Sequence, residues 1–156
     1  MLPGPKRGTI LVVDDDAANR LSLCEVLRAD GLEVASASNG LDALTQLRGG
    51  LWTDLIVLDL VMPVMDGWQF LEEQQIDPFL VRIPTIVISG IAEGTGAVFA
   101  FDRVMVRCLP KPINVPMFLR ALEHHCPRLP ASSVPVHHRA MFQPRMEPAP
   151  FTVSRF

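Results

Sequence analysis

Along the chain, short apolar runs alternate with longer segments in which apolar positions recur every three or four residues. "TILVV" (9–13) is β-branched and apolar throughout, the pattern of a buried strand. Leu21, Cys24 and Leu27 then fall at helical spacing over 17–29, with Asp16 placed to cap that helix and Gly31 to end it. "EVASA" (33–37) predicts a second, weaker strand, after which Asn39 caps "GLDALTQLR", a helix that runs into Gly49-Gly50. "DLIVL" (54–58) is a third strand, and Asp66 caps a helix from Gly67 to about Gln75. A fourth strand, "PTIVIS" (84–89), can open on Pro84 because a strand's first residue need not donate to the ladder. A weakly marked helix falls within 93–103, and "VMVRCL" (104–109) is a fifth strand. Asn114 caps a last helix with Val115, Phe118, Leu119 and Leu122 on one apolar face.

Five almost purely apolar strands alternating with five helices predict an α/β fold, a parallel sheet covered on both faces. In such sheets, ligands sit beyond the carboxyl ends of the strands, so the residues found there carry the chemistry. The first strand ends in Asp14, Asp15 and Asp16, and the third in Asp59. The fourth ends in Ser89-Gly90 and the fifth in Pro110-Lys111-Pro112. Clustered carboxylates repel and raise one another's pKa values. A hard, oxygen-seeking cation such as Mg²⁺ relieves that repulsion. Metal, aspartate, hydroxyl and lysine together are what phosphoryl transfer needs: neutralised charge, positioning and an acceptor oxygen. Of the 14 basic residues only Lys6 and Lys111 are lysines, so an ammonium at this strand end suggests that a compact point charge is wanted.

The segments "ILVVDDD", "DLIVLDLVMPVMDG", "VISG" and "LPKPI", in this order and spacing, resemble the receiver domain of two-component response regulators over about residues 9–125. The resemblance implies a flavodoxin-like, doubly wound sheet of five strands and five helices. It implies that Asp59 accepts a phosphoryl group from a sensor histidine kinase or a histidine phosphotransfer protein. Asp14, Asp15 and Asp59 would hold Mg²⁺, with Val61 lending its backbone carbonyl. Ser89 would hydrogen-bond the phosphoryl group and Lys111 would pair with its oxygens, the Lys111–Pro112 bond being a candidate for the cis form. Pro63, Asp66 and Gly67 read as structural, holding Asp59 in place.

Charge and cysteine content narrow the setting. The net charge is −3 at pH 7, which gives no electrostatic reason to expect nucleic acid as a partner. Residues 1–126 hold ten Lys/Arg against sixteen Asp/Glu, whereas 127–156 hold four against one. That last stretch also carries six of the 14 prolines, so the expected organisation is an extension (1–8), a receiver (9–126) and a Pro-rich disordered tail (127–156). Three cysteines, Cys24, Cys108 and Cys126, show no CxxC spacing and favour a reducing, cytoplasmic setting over disulfides or zinc. No stretch reaches bilayer-spanning length.

Two departures from the family pattern bear on output. Cys108 stands three residues before the lysine, where receivers usually carry Tyr or Phe, and 93–107 lacks the common Ala-rich helix closed by Gly. Val61 and Ile91, two residues after Asp59 and Ser89, are apolar and unable to orient an attacking water, which implies a long-lived phosphoaspartate. The leading expectation is a stand-alone receiver that signals through a downstream protein target and is not a turnover enzyme. A degenerate receiver acting as a phosphorylation-independent interaction module is the main rival. An aspartyl-phosphate hydrolase ranks below both, since such enzymes place a proton-carrying Asp where Val61 stands.

Overall fold

The computed structural model describes residues 8–90 and 106–125. Its strands are β1 (Thr9–Val13), β2 (Glu33–Ala37), β3 (Leu55–Asp59), β4 (Thr85–Ser89) and β5 (Val106–Pro110). All neighbours pair in parallel, in the order β2-β1-β3-β4-β5. The helices among the described residues are α1 (Ala17–Ala29), α2 (Gly40–Arg48), α3 (Gly67–Ile76) and α4 (Val115–His125), with a 3-10 turn at Leu80–Arg82.

Alternation along each strand feeds two cores, because successive side chains leave a sheet on opposite faces. Leu11, Val13, Ile56, Leu58 and Val87 pack with Ala43, Leu44, Leu47, Phe70 and Leu71 of α2 and α3. Ile10, Val12, Val57, Ile86 and Ile88 pack on the other face with Leu23, Cys24 and Leu27 of α1 and with Phe118, Ala121 and Leu122 of α4. The doubly covered parallel sheet expected from the apolar runs is therefore present. Chain order reverses between β1 and β3, so the crevice beyond those two strands is the place where such folds bind ligands.

The predicted caps hold. Asp16, Asn39, Asp66 and Asn114 accept hydrogen bonds from the backbone N–H groups of Asn19, Asp42, Gln69 and Met117 at 2.8–3.0 Å. Gly31, just past α1, has φ +88°, which a residue with a side chain rarely adopts. Other expectations shift. Leu21 is 57% exposed, and α1 instead buries Leu23 beside Cys24 and Leu27. Val115 is 39% exposed, and Ala121 completes the buried face of α4 with Phe118 and Leu122. β3 begins one residue later than the run "DLIVL" and includes Asp59; Asp54, just before it, accepts the Thr9 N–H on its carboxylate and donates its own N–H to the Thr9 carbonyl, both at 2.8 Å. β4 starts at Thr85, while Pro84 offers its carbonyl to the Ile56 N–H at 3.0 Å. The helix within 93–103, residues 104–105 of the fifth strand, most of the 1–8 extension and the 127–156 tail lie outside the described residues.

The 3-10 turn was not expected, and Gln74 explains how it is held. This fully buried side chain donates to the carbonyls of Leu80 (3.1 Å) and Ile83 (2.9 Å) and accepts from the Thr85 hydroxyl (3.2 Å). A buried amide is tolerated only when so partnered, and here it fastens the return from α3 to the start of β4.

Candidate functional site

Asp59 lies at the end of a strand with no exposed residue, and it is itself 6% exposed. A carboxylate so placed is costly unless paired. Its partner is Lys111, whose Nζ stands 3.0 Å from Oδ2, while the Val61 N–H lies 3.3 Å from Oδ1. Lys111 reaches this point because β4 and β5 end level, Ser89 opposite Pro110, and its own N–H donates to the Ser89 carbonyl at 2.9 Å. The following Lys111–Pro112 peptide is cis. Ser89 is buried at the tip of β4, beside the end of β3, where Ile88 pairs with Asp59.

Asp14, buried to 4% exposure, continues β1: its N–H donates to the Ala37 carbonyl at 3.2 Å, and its Oδ1 accepts from the Asp16 N–H at 2.8 Å. Burial pushes the Asp14 carboxyl above its ordinary pKa, the Asp16 N–H opposes that, and the Asp59 charge adds to it. Asp15 is exposed on the rim. One carboxylate oxygen each from Asp14, Asp15 and Asp59 lie within 4.8 Å of one another. An all-oxygen set of this kind suits a hard divalent cation such as Mg²⁺ and is a poor match for zinc, which prefers nitrogen and sulfur. The structure thus brings Asp14, Asp15, Asp59, Ser89 and Lys111 to one edge of the sheet. Val61 is on the same rim and is 70% exposed.

Residues 60–67 secure Asp59 from the other side. The Met65 N–H donates to the Pro63 carbonyl at 2.9 Å across Val64, whose φ is +70°. This is a γ-turn of the rare, strained kind, and a β-branched residue at its centre is unusual. Two hydrogen bonds anchor the segment: Gly40 N–H to the Met65 carbonyl (3.0 Å) and Gly67 N–H to the Leu60 carbonyl (2.9 Å). Asp66 and Gln69 cap α3 reciprocally.

Gly67, expected to be structural, is where α3 touches the backbone of Asp59 and Leu60. One residue at the site was not singled out from sequence. Arg20 donates from a guanidinium nitrogen to the Asp14 carbonyl at 2.7 Å. The available signal for Arg20 was a cation in the first turn of a helix, at the dipole end that disfavours it.

Residues 10–123 match the family described as the response regulator receiver domain. The chain is 41% identical over 107 residues to a protein-glutamate methylesterase/protein-glutamine glutaminase 1 of Anaeromyxobacter dehalogenans, covering 66% of this chain and 29% of that one. It is 31% identical over 105 residues to a transcriptional regulatory protein CpxR homolog of Haemophilus influenzae, covering 67% of this chain and 44% of that one. The chain therefore spans less than half the length of these curated relatives. Among solved structures, the chemotaxis response regulator CheY4 of Vibrio cholerae superposes with a TM-score of 0.68 at 26% identity, covering 75% of this chain and 97% of that one. With the family matched over most of its length on the expected parallel sheet, the protein belongs to the response regulator receiver domain family of two-component signalling.

Proposed function

We propose that the chain is a phosphorylation switch in which Asp59 accepts a phosphoryl group from a histidine kinase or a histidine phosphotransfer protein. The observation that carries this reading is a buried Asp59 carboxylate ion-paired to Lys111 at 3.0 Å, with Asp14 and Asp15 carboxylates inside 4.8 Å. A carboxylate oxygen of Asp59 forms the new P–O bond as the P–N bond breaks, and the bond's electron pair leaves with the imidazole nitrogen. Asp14, Asp15, Asp59 and the Val61 carbonyl would hold Mg²⁺, which supplies charge neutralisation for the transferring group. Lys111 would exchange its partner, from the free carboxylate to the phosphoryl oxygens, and Ser89 would donate its hydroxyl to the same group. Incubation with acetyl phosphate and Mg²⁺ should add one phosphoryl group per chain, and chelation with EDTA should abolish the addition. No uptake with Mg²⁺ present would instead favour the interaction module.

This reading makes the chain a signalling protein acting on a downstream protein target, without direct nucleic-acid contact. Val61 supports it over an aspartyl-phosphate hydrolase, because an apolar side chain cannot move protons at that position. The same residue leads us to expect slow autodephosphorylation; Ile91, its counterpart, lies outside the described residues. Decay of the phosphoprotein in Mg²⁺ should take many minutes, and loss within seconds would rule the expectation out. A cytoplasmic setting is part of the proposal: Cys24 and Cys108 are free thiols, and no helix among the described residues is long and apolar enough to cross a membrane.

A further inference from the structure

Asp14, Asp16 and Arg20 form a closed circuit of hydrogen bonds at the start of α1. The Asp16 N–H donates to Asp14 Oδ1 (2.8 Å), the Arg20 N–H to the Asp16 carbonyl (2.9 Å), and the Arg20 guanidinium to the Asp14 carbonyl (2.7 Å). With the Ala37 bond to its N–H, Asp14 is tied at its amide, its carboxylate and its carbonyl. The carbonyl bond needs explaining. β1 has ended by this residue, and a strand-end carbonyl can ordinarily be left to water or a backbone donor. Here a long cation reaches back from the wrong end of a helix dipole to take that place. A donor–acceptor distance of 2.7 Å is that of a charge-assisted hydrogen bond.

We infer that Arg20 is a positioning residue for the carboxylate site: by clamping the Asp14 carbonyl it fixes the direction of the Asp14 carboxylate toward Asp15 and Asp59, and so sets Mg²⁺ affinity. The inference rests on the Mg²⁺ reading above. Residues that orient a metal's direct ligands commonly matter about tenfold or more for affinity. Arg20 also carries a positive charge close to where a cation would sit, and that effect has the opposite sign. If only the charge counts, its removal tightens Mg²⁺ binding; if the clamp counts, its removal weakens binding.

Calorimetric titration of the full chain with Mg²⁺ separates the two. Arg20→Ala should bind Mg²⁺ about tenfold more weakly than the unsubstituted chain, while Arg20→Lys, which keeps a donor and the charge, should recover most of the loss. Thermal unfolding without Mg²⁺, followed by circular dichroism, should show both variants folded at the titration temperature. Should Arg20→Ala fold poorly, Arg20→Met keeps the apolar stem without a donor and carries the same test. Unchanged or tighter binding by the neutral variant overturns the inference, as does a Lys variant as weak as the Ala one. The underlying reading fails separately: the unsubstituted chain would then bind no Mg²⁺, or Asp15→Asn would bind it as well as the unsubstituted chain does.

Discussion

Asp59→Asn will leave the chain folded and abolish covalent phosphoryl uptake from acetyl phosphate. The amide is nearly isosteric with the carboxylate, so the end of β3 keeps its shape and the Val61 N–H keeps an oxygen to face. What changes is charge. The substituted side chain has no anionic oxygen to attack phosphorus, and a neutral amide is a poor nucleophile. The stability effect is set by two opposed terms. Lys111 loses its ion pair, but its side chain is 32% exposed and can turn to water. Asp14 loses a like charge that disfavours its ionised form. The net change in unfolding free energy should therefore stay within about 1 kcal/mol, far below the several kcal/mol lost when a buried ion pair leaves its partner stranded. Mass spectrometry after acetyl phosphate treatment checks the first half, and urea unfolding the second. Continued phosphoryl addition to the variant would move the acceptor to Asp14 or Asp15 and sink the assignment to Asp59.

The same physical logic separates what could be read from sequence from what could not. Strands declared themselves because a parallel strand covered on both faces must be apolar at nearly every position, as "LIVL" and "TIVIS" are. Polar residues at their carboxyl ends then stood out, and Asp14, Asp59, Ser89 and Lys111 do meet at one edge. Helix faces were less legible. Leu21 and Leu23 offer alternative apolar stripes on α1, and only packing against the sheet decides for Leu23. Gln74 gives no pattern at all, since its partners are backbone carbonyls six and nine residues on and a threonine beyond them. The strain at Val64 was likewise hidden. Nothing in the identity of a valine says that it will sit at φ +70°, in a turn tied down by the Gly40 N–H bond to the Met65 carbonyl and the Gly67 N–H bond to the Leu60 carbonyl. Arg20 was hidden for a related reason, because its partner is the backbone of Asp14 and leaves no complementary side chain to notice.

Gly67→Ala should show how closely the phosphoacceptor strand and α3 are fitted. A Cβ at Gly67 would lie 2.5 Å from the Asp59 carbonyl oxygen, 2.8 Å from the Leu60 Cα and 3.0 Å from Leu60 Cδ2. Two of these three atoms belong to the backbone of a buried strand end, so no side-chain rotation relieves the clash. Either α3 retreats, which strains the Gly67 N–H bond to Leu60 and the packing of Phe70 and Leu71, or β3 shifts and takes Asp59 with it. Overpacking of this kind costs about 1–3 kcal/mol and sometimes more. The gain from replacing a helical glycine by alanine is only about 1 kcal/mol, and smaller at a first-turn position than in a helix interior. The net expectation is a loss of about 2 kcal/mol, seen as a lower urea midpoint with an unchanged slope. Function should suffer beyond stability. Displacement by a few tenths of an ångström at the Asp59 backbone misaligns its carboxylate with Lys111 and with Asp14 and Asp15. Phosphoryl uptake from acetyl phosphate, measured well below the variant's unfolding midpoint, should therefore slow by about tenfold or more, since misplacements near 1 Å can cost a hundredfold. A variant as stable as the parent would show slack between α3 and β3. A destabilised variant that still takes up phosphoryl at the parent's rate would show that α3, and not the strand carrying Asp59, absorbs the added methyl group.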